Sequence, residues 1–187
     1  MKAVIQRVIS ASVTVDNEVI SQISKGLVVL VGISVDDTDA DVAVLSKKIL
    51  SFRVFSDPSN EANMWKASIK DIDGDILSVS QFTLAANTAK ANKPDFHLAM
   101  PTEPSRKLYA KFLETLRRGY KPGKIQDGKF GAMMNVSLIN EGPVTFTLDS
   151  RKFEYIVPPE DNKNSLKKNK EGVPKSQKEA LHIDDAM

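Results

Sequence analysis

Two short segments hold the residues whose types and spacing could do chemistry. In Ser80-Gln81-Phe82-Thr83, two hydroxyls bracket an amide that can both donate and accept. The backbone N–H groups of Phe82 and Thr83 could face a developing oxyanion. In Asn140-Glu141-Gly142-Pro143-Val144-Thr145, the glycine lets the main chain approach a ligand closely or take torsions closed to other residues. Pro143 fixes its own φ and removes a donor, and an X-Pro bond is the one kind of peptide that readily turns cis. The pair is then a rigid display of backbone carbonyls. Each segment also has a plainer reading. Ser-Gln-Phe-Thr fits a half-buried strand. Gly-Pro fits a tight turn between two strands, since only about 5–6% of X-Pro bonds in folded proteins are cis.

Composition narrows the chemistry further. The 187 residues include no cysteine and only two histidines, His97 and His182. Thiolate nucleophiles, disulfides and cysteine metal sites are therefore excluded. A Ser-His-Asp hydrolase would have to use one of those two histidines as its base, and a zinc site would lack ligands. His97 reads better as a structural histidine. Catalysis falls to hydroxyls, backbone groups, carboxylates, lysines or groups on the substrate, so no metal and no cofactor is expected. The missing cysteine fits a reducing compartment. The segment from Met1 to Arg7 lacks the pattern of a signal peptide, and the longest apolar run, Gly26 to Ile33, is too short to span a membrane. A cytoplasmic protein without a membrane partner is expected. The net charge of +2 says little. Its distribution says more: Arg106, Lys107, Lys111, Arg117, Arg118, Lys121, Lys124 and Lys129 face only Glu114 and Asp127. That run reads equally as a phosphate-binding cluster and as a solvated helix face with a basic loop.

The elements that must position these segments follow from periodicity. Lys2 to Val8 and Ala11 to Val15 read as two strands. The second joins Val19-Ile20 through a turn at Asp16-Asn17-Glu18. Gly26 to Ile33 reads as a buried strand. Thr38 caps a helix with Val42, Leu45, Ile49 and Leu50 on one face. Phe52 to Phe55 reads as a short strand, and Asn60 to Ile72 as a loop or hairpin around Trp65. After the Asp73-Gly74 turn, Asp75 to Phe82 forms a strand that delivers Ser80-Gln81-Phe82-Thr83 at its end. Residues 85–101 read as irregular. A helix capped by Thr102 runs to about Gly119, with Leu108, Phe112, Leu113 and Leu116 facing the core. Two strands follow, Ala132 to Ile139 and Val144 to Leu148, with Gly142-Pro143 as the turn between them. This order implies an α+β fold with an antiparallel sheet. One domain spans 1–157. Residues 158–187, rich in Lys and Asn, read as a mobile polar tail.

Taken together, the motifs resemble those of the D-aminoacyl-tRNA deacylase family. The matching stretches are Val4-Ile5-Gln6-Arg7-Val8, Ser80-Gln81-Phe82-Thr83-Leu84, Asn92-Lys93-Pro94-Asp95-Phe96 and Leu108-Tyr109. Gly128-Lys129-Phe130-Gly131-Ala132 and Val136 through Thr145 complete them. They run in order from residue 1 to about residue 150. The resemblance implies a homodimer with a compact β-rich, barrel-like core and a few flanking helices. It implies hydrolysis of the ester between a D-amino acid, or wrongly attached glycine, and the 3′-terminal adenosine of tRNA. It implies that Gly142-Pro143 is cis and reaches into the neighbouring subunit's site. There its carbonyls would hold the substrate's α-amino group and leave no room for an L side chain. Ser80, Gln81 and Phe82 would line the reaction centre. Arg7 would brace the Gly-Pro loop, Asn140 would belong to the same substrate-binding motif, and Phe130 and Met134 would border the adenine pocket. The chemistry would lean on the substrate's own 2′-hydroxyl, with Thr83 as nucleophile the second choice. A rival reading keeps the fold, together with the tail, as a nucleic-acid-binding protein without the enzyme.

Overall fold

Alternating residues from Lys2 to Val15 form one 14-residue strand, β1 (Lys2–Val15), in a computed structural model that describes residues 1–89 and 92–151. The tail expected from residue 158 lies outside those residues. The two strands expected at this end are therefore one. Val8 pairs with Asn140 and Ser10 with Ile139, so Ile9 is an extra residue in a bulge. A bulge breaks the in-out alternation as a strand end would, but the chain continues with added twist. Before the bulge β1 pairs with β3 (Gly26–Gly32), and beyond it with β2 (Glu18–Ile23). Asp16 and Asn17, at φ 50° and 65°, close the β1–β2 hairpin through the mirror-image turn that suits strand twist.

The sheet runs β2-β1-β3-β4-β5, and β6 (Asn135–Asp149) lies along the other edge of β1. Its curl makes a nearly closed, barrel-like wall. The expected antiparallel arrangement holds for β1 with β2, β3 and β6. It does not hold for β4 (Asp75–Ser80) and β5 (Ile125–Asp127), because β3–β4 and β4–β5 are parallel. The connections explain this. Helix α1 (Asp39–Ser51) lies between β3 and β4, and helix α2 (Thr102–Gly119) between β4 and β5. A long helical crossover returns the chain to the same end of the sheet, which is what parallel pairing requires. Phe52 to Phe55 is not a strand; Phe55 makes a single bridge to Ala67.

The helices cover one face of the sheet. Val42, Leu45 and Ile49 of α1 and Phe112, Leu113 and Leu116 of α2 join Ile5, Leu27, Val29 and Ile76 in the main core. Each such side chain contributes about 1.5–3 kcal/mol on burial. Val8, Val13, Val28, Leu77 and Val79 form a second cluster on the opposite face, with Met134 and Leu138 against it. Helix α2 begins one residue earlier than Thr102 suggests: Pro101 occupies the cap position, and its carbonyl accepts from Ser105 N–H at 3.0 Å. At the start of α1, Thr38 N–H donates to the Asp41 carboxylate at 2.9 Å. Asp41 also accepts from Ser150 Oγ at 2.6 Å and Arg151 Nε at 3.2 Å. The end of β6 is thereby tied to α1.

Candidate active site

Ser80 is the last residue of β4, paired with Val31 where the chain leaves the sheet. Gln81 N–H donates to the Val31 carbonyl at 2.7 Å, and the chain then enters a 3₁₀ turn, Phe82–Ala85. Gly32 permits this: a Cβ there would fall 2.6 Å from Leu84 Cβ and 3.1 Å from the Gln81 carbonyl oxygen. The hydrogen bonds of the turn begin with Leu84 N–H to Gln81 O at 3.2 Å. The N–H groups of Phe82 and Thr83 are thus left without a partner inside the turn. Gln81 Nε2 donates to Thr83 Oγ1 at 2.5 Å, which fixes the amide. The Phe82 ring is 58% exposed and rests on Phe96, with ring centroids 5.0 Å apart. Next to Phe96, His97 Nδ1 and Asp95 Oδ2 lie 2.5 Å apart on the exposed loop.

Strand β5 ends beside β4, and Gly128 N–H donates to the Ser78 carbonyl at 3.0 Å. Phe130 follows directly. Its ring lies 5.6 Å from Tyr109 and under the Arg106 guanidinium at 4.8 Å. Tyr109 donates to Ser78 Oγ at 3.0 Å, and burial pushes its phenol well above the usual range. Met134 packs beside Gly128 and Val79. Ser80, Gln81, Phe82, Thr83, Phe130 and Met134 are therefore gathered at the C-terminal ends of β4 and β5. Most of the basic run is neutralised nearby: Lys111 pairs with Asp39, Arg117 with Asp127, Arg118 with Glu114, Lys121 with Asp73 and Lys124 with Asp75.

The Gly142-Pro143 segment is not a turn between two strands. Asn135 to Asp149 is one strand, and the pair lies on an excursion from it. Thr145 faces Gln6 and Asn140 faces Val8, so Glu141 to Val144 oppose Arg7 alone. Turn-forming residues in the sequence signal only that the chain departs from regular geometry, and four against one satisfies that as well as a hairpin does. The Gly142–Pro143 peptide is cis and Gly142 has φ 110°. Asn140 clamps the base of the excursion. Its Nδ2 donates to Arg7 O at 2.9 Å and Val144 O at 3.2 Å. Its Oδ1 accepts from Gln6 Nε2 at 3.1 Å and Thr145 Oγ1 at 3.0 Å. This side chain has no hydrogen-bonding capacity left for a ligand. Arg7 lies under the excursion, donating to Val54 O at 2.6 Å and pairing with Glu141 at 3.0 Å. Glu141 also lies 3.8 Å from Lys25 Nζ. Gln6 and Glu141 are the supports that sequence reading passed over. The polar Gln6 within an apolar alternating strand was the available signal.

The two motifs do not meet within one chain. Ser80 is level with Val31 and Ala3, whereas the excursion is level with Arg7 and Leu27. Four residues of register separate them by roughly 13 Å along the strands, and β3 and β1 lie between β4 and β6.

The curled mixed sheet with its two covering helices is a fold that solved structures share. A solved structure of a probable eukaryotic D-amino acid tRNA deacylase shares it with a TM-score of 0.69, covering 79% of this chain and 98% of that one; at 19% identity the likeness concerns the fold alone. A solved protein named c-Myc DNA unwinding element binding protein has a TM-score of 0.76 and 53% identity, covering 80% of this chain and 98% of its own. The D-aminoacyl-tRNA deacylase of Saccharomyces cerevisiae is 55% identical over 150 residues, 80% of this chain and 99% of that protein. The chain belongs to the D-Tyr-tRNA(Tyr) deacylase family, whose model matches residues 4–149.

Proposed function

We propose that this protein hydrolyses the ester joining a D-amino acid, or wrongly attached glycine, to the 3′-terminal adenosine of tRNA, as a cytoplasmic homodimer serving translation quality control. The observation that carries this reading is family membership across residues 4–149 with both motifs present. The backbone carbonyls of Gly142 and Pro143 accept from the substrate's α-ammonium group, and the rigid main chain excludes an L side chain. Glycine has no side chain to exclude and passes. The N–H groups of Phe82 and Thr83, left without a partner inside the turn, receive the developing oxyanion, with Ser80 and Gln81 positioning the ester. Phe130 and Met134 border the adenine. Arg7 and Asn140 hold the Gly-Pro excursion from beneath.

The nucleophile is water, assisted by the 2′-hydroxyl of the substrate. Thr83 fits the role poorly, because its Oγ1 already accepts from the Gln81 amide, and a donor aimed at an oxygen lowers its nucleophilicity. Two features support a site shared between subunits. The Ser80 end and the Gly142 excursion stand apart within one chain, and both carry exposed residues. Among the described residues strand β6 pairs only with β1, and it carries Ile139, 57% exposed, across from the Ile9 bulge, 53% exposed. A second copy related by a two-fold axis would cover this edge and bring its excursion to the other subunit's Ser80.

Incubating the protein with D-Tyr-tRNA, L-Tyr-tRNA and Gly-tRNA tests the reading. Ester loss from the D and glycyl forms, with the L form intact, is expected. Ester loss from none would hand the fold to the nucleic-acid-binding alternative, and loss from the L form would remove chiral exclusion.

A further inference from the structure

A cavity of about 550 Å³ lies at the Gly142 end of the molecule, away from Ser80. The second half of α1 supplies Ser46, Lys47 and Ser51, and the segment after it supplies Arg53. The loop into β4 supplies Ser68, Lys70 and Asp71, and α2 supplies Thr115. Three cations therefore face one carboxylate. That carboxylate is already engaged: Asp71 accepts from Ser68 N–H at 2.7 Å and Ser68 Oγ at 2.8 Å. These bonds, with smaller help from Arg53 and Lys70 through space, hold it below the usual carboxylate range.

The cations contrast with five basic residues of α2 and the loop after it. Lys111, Arg117, Arg118, Lys121 and Lys124 each have a carboxylate within ion-pair distance. Among the described residues Lys47, Arg53 and Lys70 have none. The second observation is Ser46. It is 2% exposed, lines this cavity, and its hydroxyl has no hydrogen-bond partner among the described residues. Leaving a buried hydroxyl unsatisfied is costly, so such a group is a candidate ligand contact. Cations without an ion pair, beside one hydroxyl with no partner, match a phosphate group.

The position favours one source of phosphate. Arg53 precedes Val54, whose carbonyl accepts from Arg7, and Arg7 pairs with Glu141 next to Gly142. The cavity and the excursion thus share one end of the sheet. We propose that Lys47, Arg53, Lys70 and Ser46 form a subsite for a backbone phosphate of the tRNA whose 3′ end the excursion helps to hold. This inference rests on the deacylase reading, and the test separates the two.

The test uses the full chain with Lys47, Arg53 and Lys70 all changed to Gln, beside a control with Lys111, Arg118 and Lys121 changed to Gln. Circular dichroism establishes that both fold. Binding of fluorescein-labelled uncharged tRNA is then followed by anisotropy over a range of salt. The cavity variant is expected to bind about tenfold or more weakly, with its salt slope reduced by about two to three and the control's changed less. Its KM for D-Tyr-tRNA should rise, while kcat and hydrolysis of the D-tyrosyl ester of adenosine alone stay unchanged. Ser46→Ala should weaken tRNA binding without lowering Tm. Equal weakening in the control, or unchanged affinity and slope in the cavity variant, would overturn the proposal. Pyrophosphate that shifts the Ser46 and Ser68 amide resonances, with tRNA affinity unaltered in the variant, would overturn the tRNA source and leave a free phosphate compound as ligand. Binding of uncharged tRNA needs no deacylase activity, so inactivity of the wild type would sink the functional reading without deciding the subsite.

Discussion

Gly142 sits where both torsion and space demand glycine. At φ 110° an L side chain is strained. A Cβ would also lie 2.9 Å from Val144 Cγ2, 3.1 Å from Val144 N and 3.3 Å from Arg7 Nη2. Gly142→Ala should therefore displace the excursion while the core stays folded. We expect loss of D-Tyr-tRNA hydrolysis by about 10²-fold or more, with Tm down by a few degrees; unchanged D activity would remove this backbone from the mechanism. At the other motif, Ser80→Ala and Gln81→Ala should each lower kcat by about 10²–10³ if they position the ester for an oxyanion hole. Thr83→Ala is the contrast. If it proved far more damaging than either, Thr83 and not the 2′-hydroxyl would be the nucleophile.

At the scale of elements, the junction of β6 with α1 carries an acid-sensitive tie. Burial raises the Asp41 pKa, but hydrogen bonds from Arg151, Ser150 and Thr38 together outweigh it and hold the carboxyl well below the usual range. The folded pKa is thus lower than the unfolded value of about 3.9. Its stabilisation is present above that value and is lost as pH falls toward the folded pKa. Tm should fall as the solution is acidified below about pH 4. Arg151→Ala should lower Tm by about 2–4 °C at pH 7 and flatten this acid branch, because the Asp41 pKa returns toward its ordinary value. A Tm profile identical to wild type from pH 7 to pH 3 would show that the tie contributes nothing. Strand β6 relies on β1 for its irregular stretch. Its excursion is held by Asn140 at the base and by Arg7 beneath, both anchored in β1.

At the scale of the whole molecule, the proposed site is complete only in a pair. Ile139→Glu places a charge on the exposed edge of β6 without touching the core. We expect a folded monomer by analytical ultracentrifugation, with activity down at least about tenfold at low concentration and recovering as concentration rises. A monomer with full activity would mean that one chain carries the entire site, and a fully active dimer would place the interface elsewhere.

The sequence by itself determined the local features. Asp16-Asn17 marks its hairpin, Val42, Leu45 and Ile49 mark the inner face of α1, and Ser80 falls at a strand end, because turn chemistry and periodicity are short-range. The two motifs named the family for the same reason, since a motif is a local pattern. Tertiary structure decided which strands are neighbours. Alternation in Lys2 to Val15 reports which side chains point inward, but not that a bulge joins two runs into one strand. Nor does it report that β3 and β4 run parallel, which depends on the path of a helical crossover. The fully bonded Asn140, the roughly 13 Å offset between Ser80 and the excursion, and the cavity around Ser46 are likewise products of register. Residues far apart in the chain meet only when strands pair, and no short-range signal encodes the pairing.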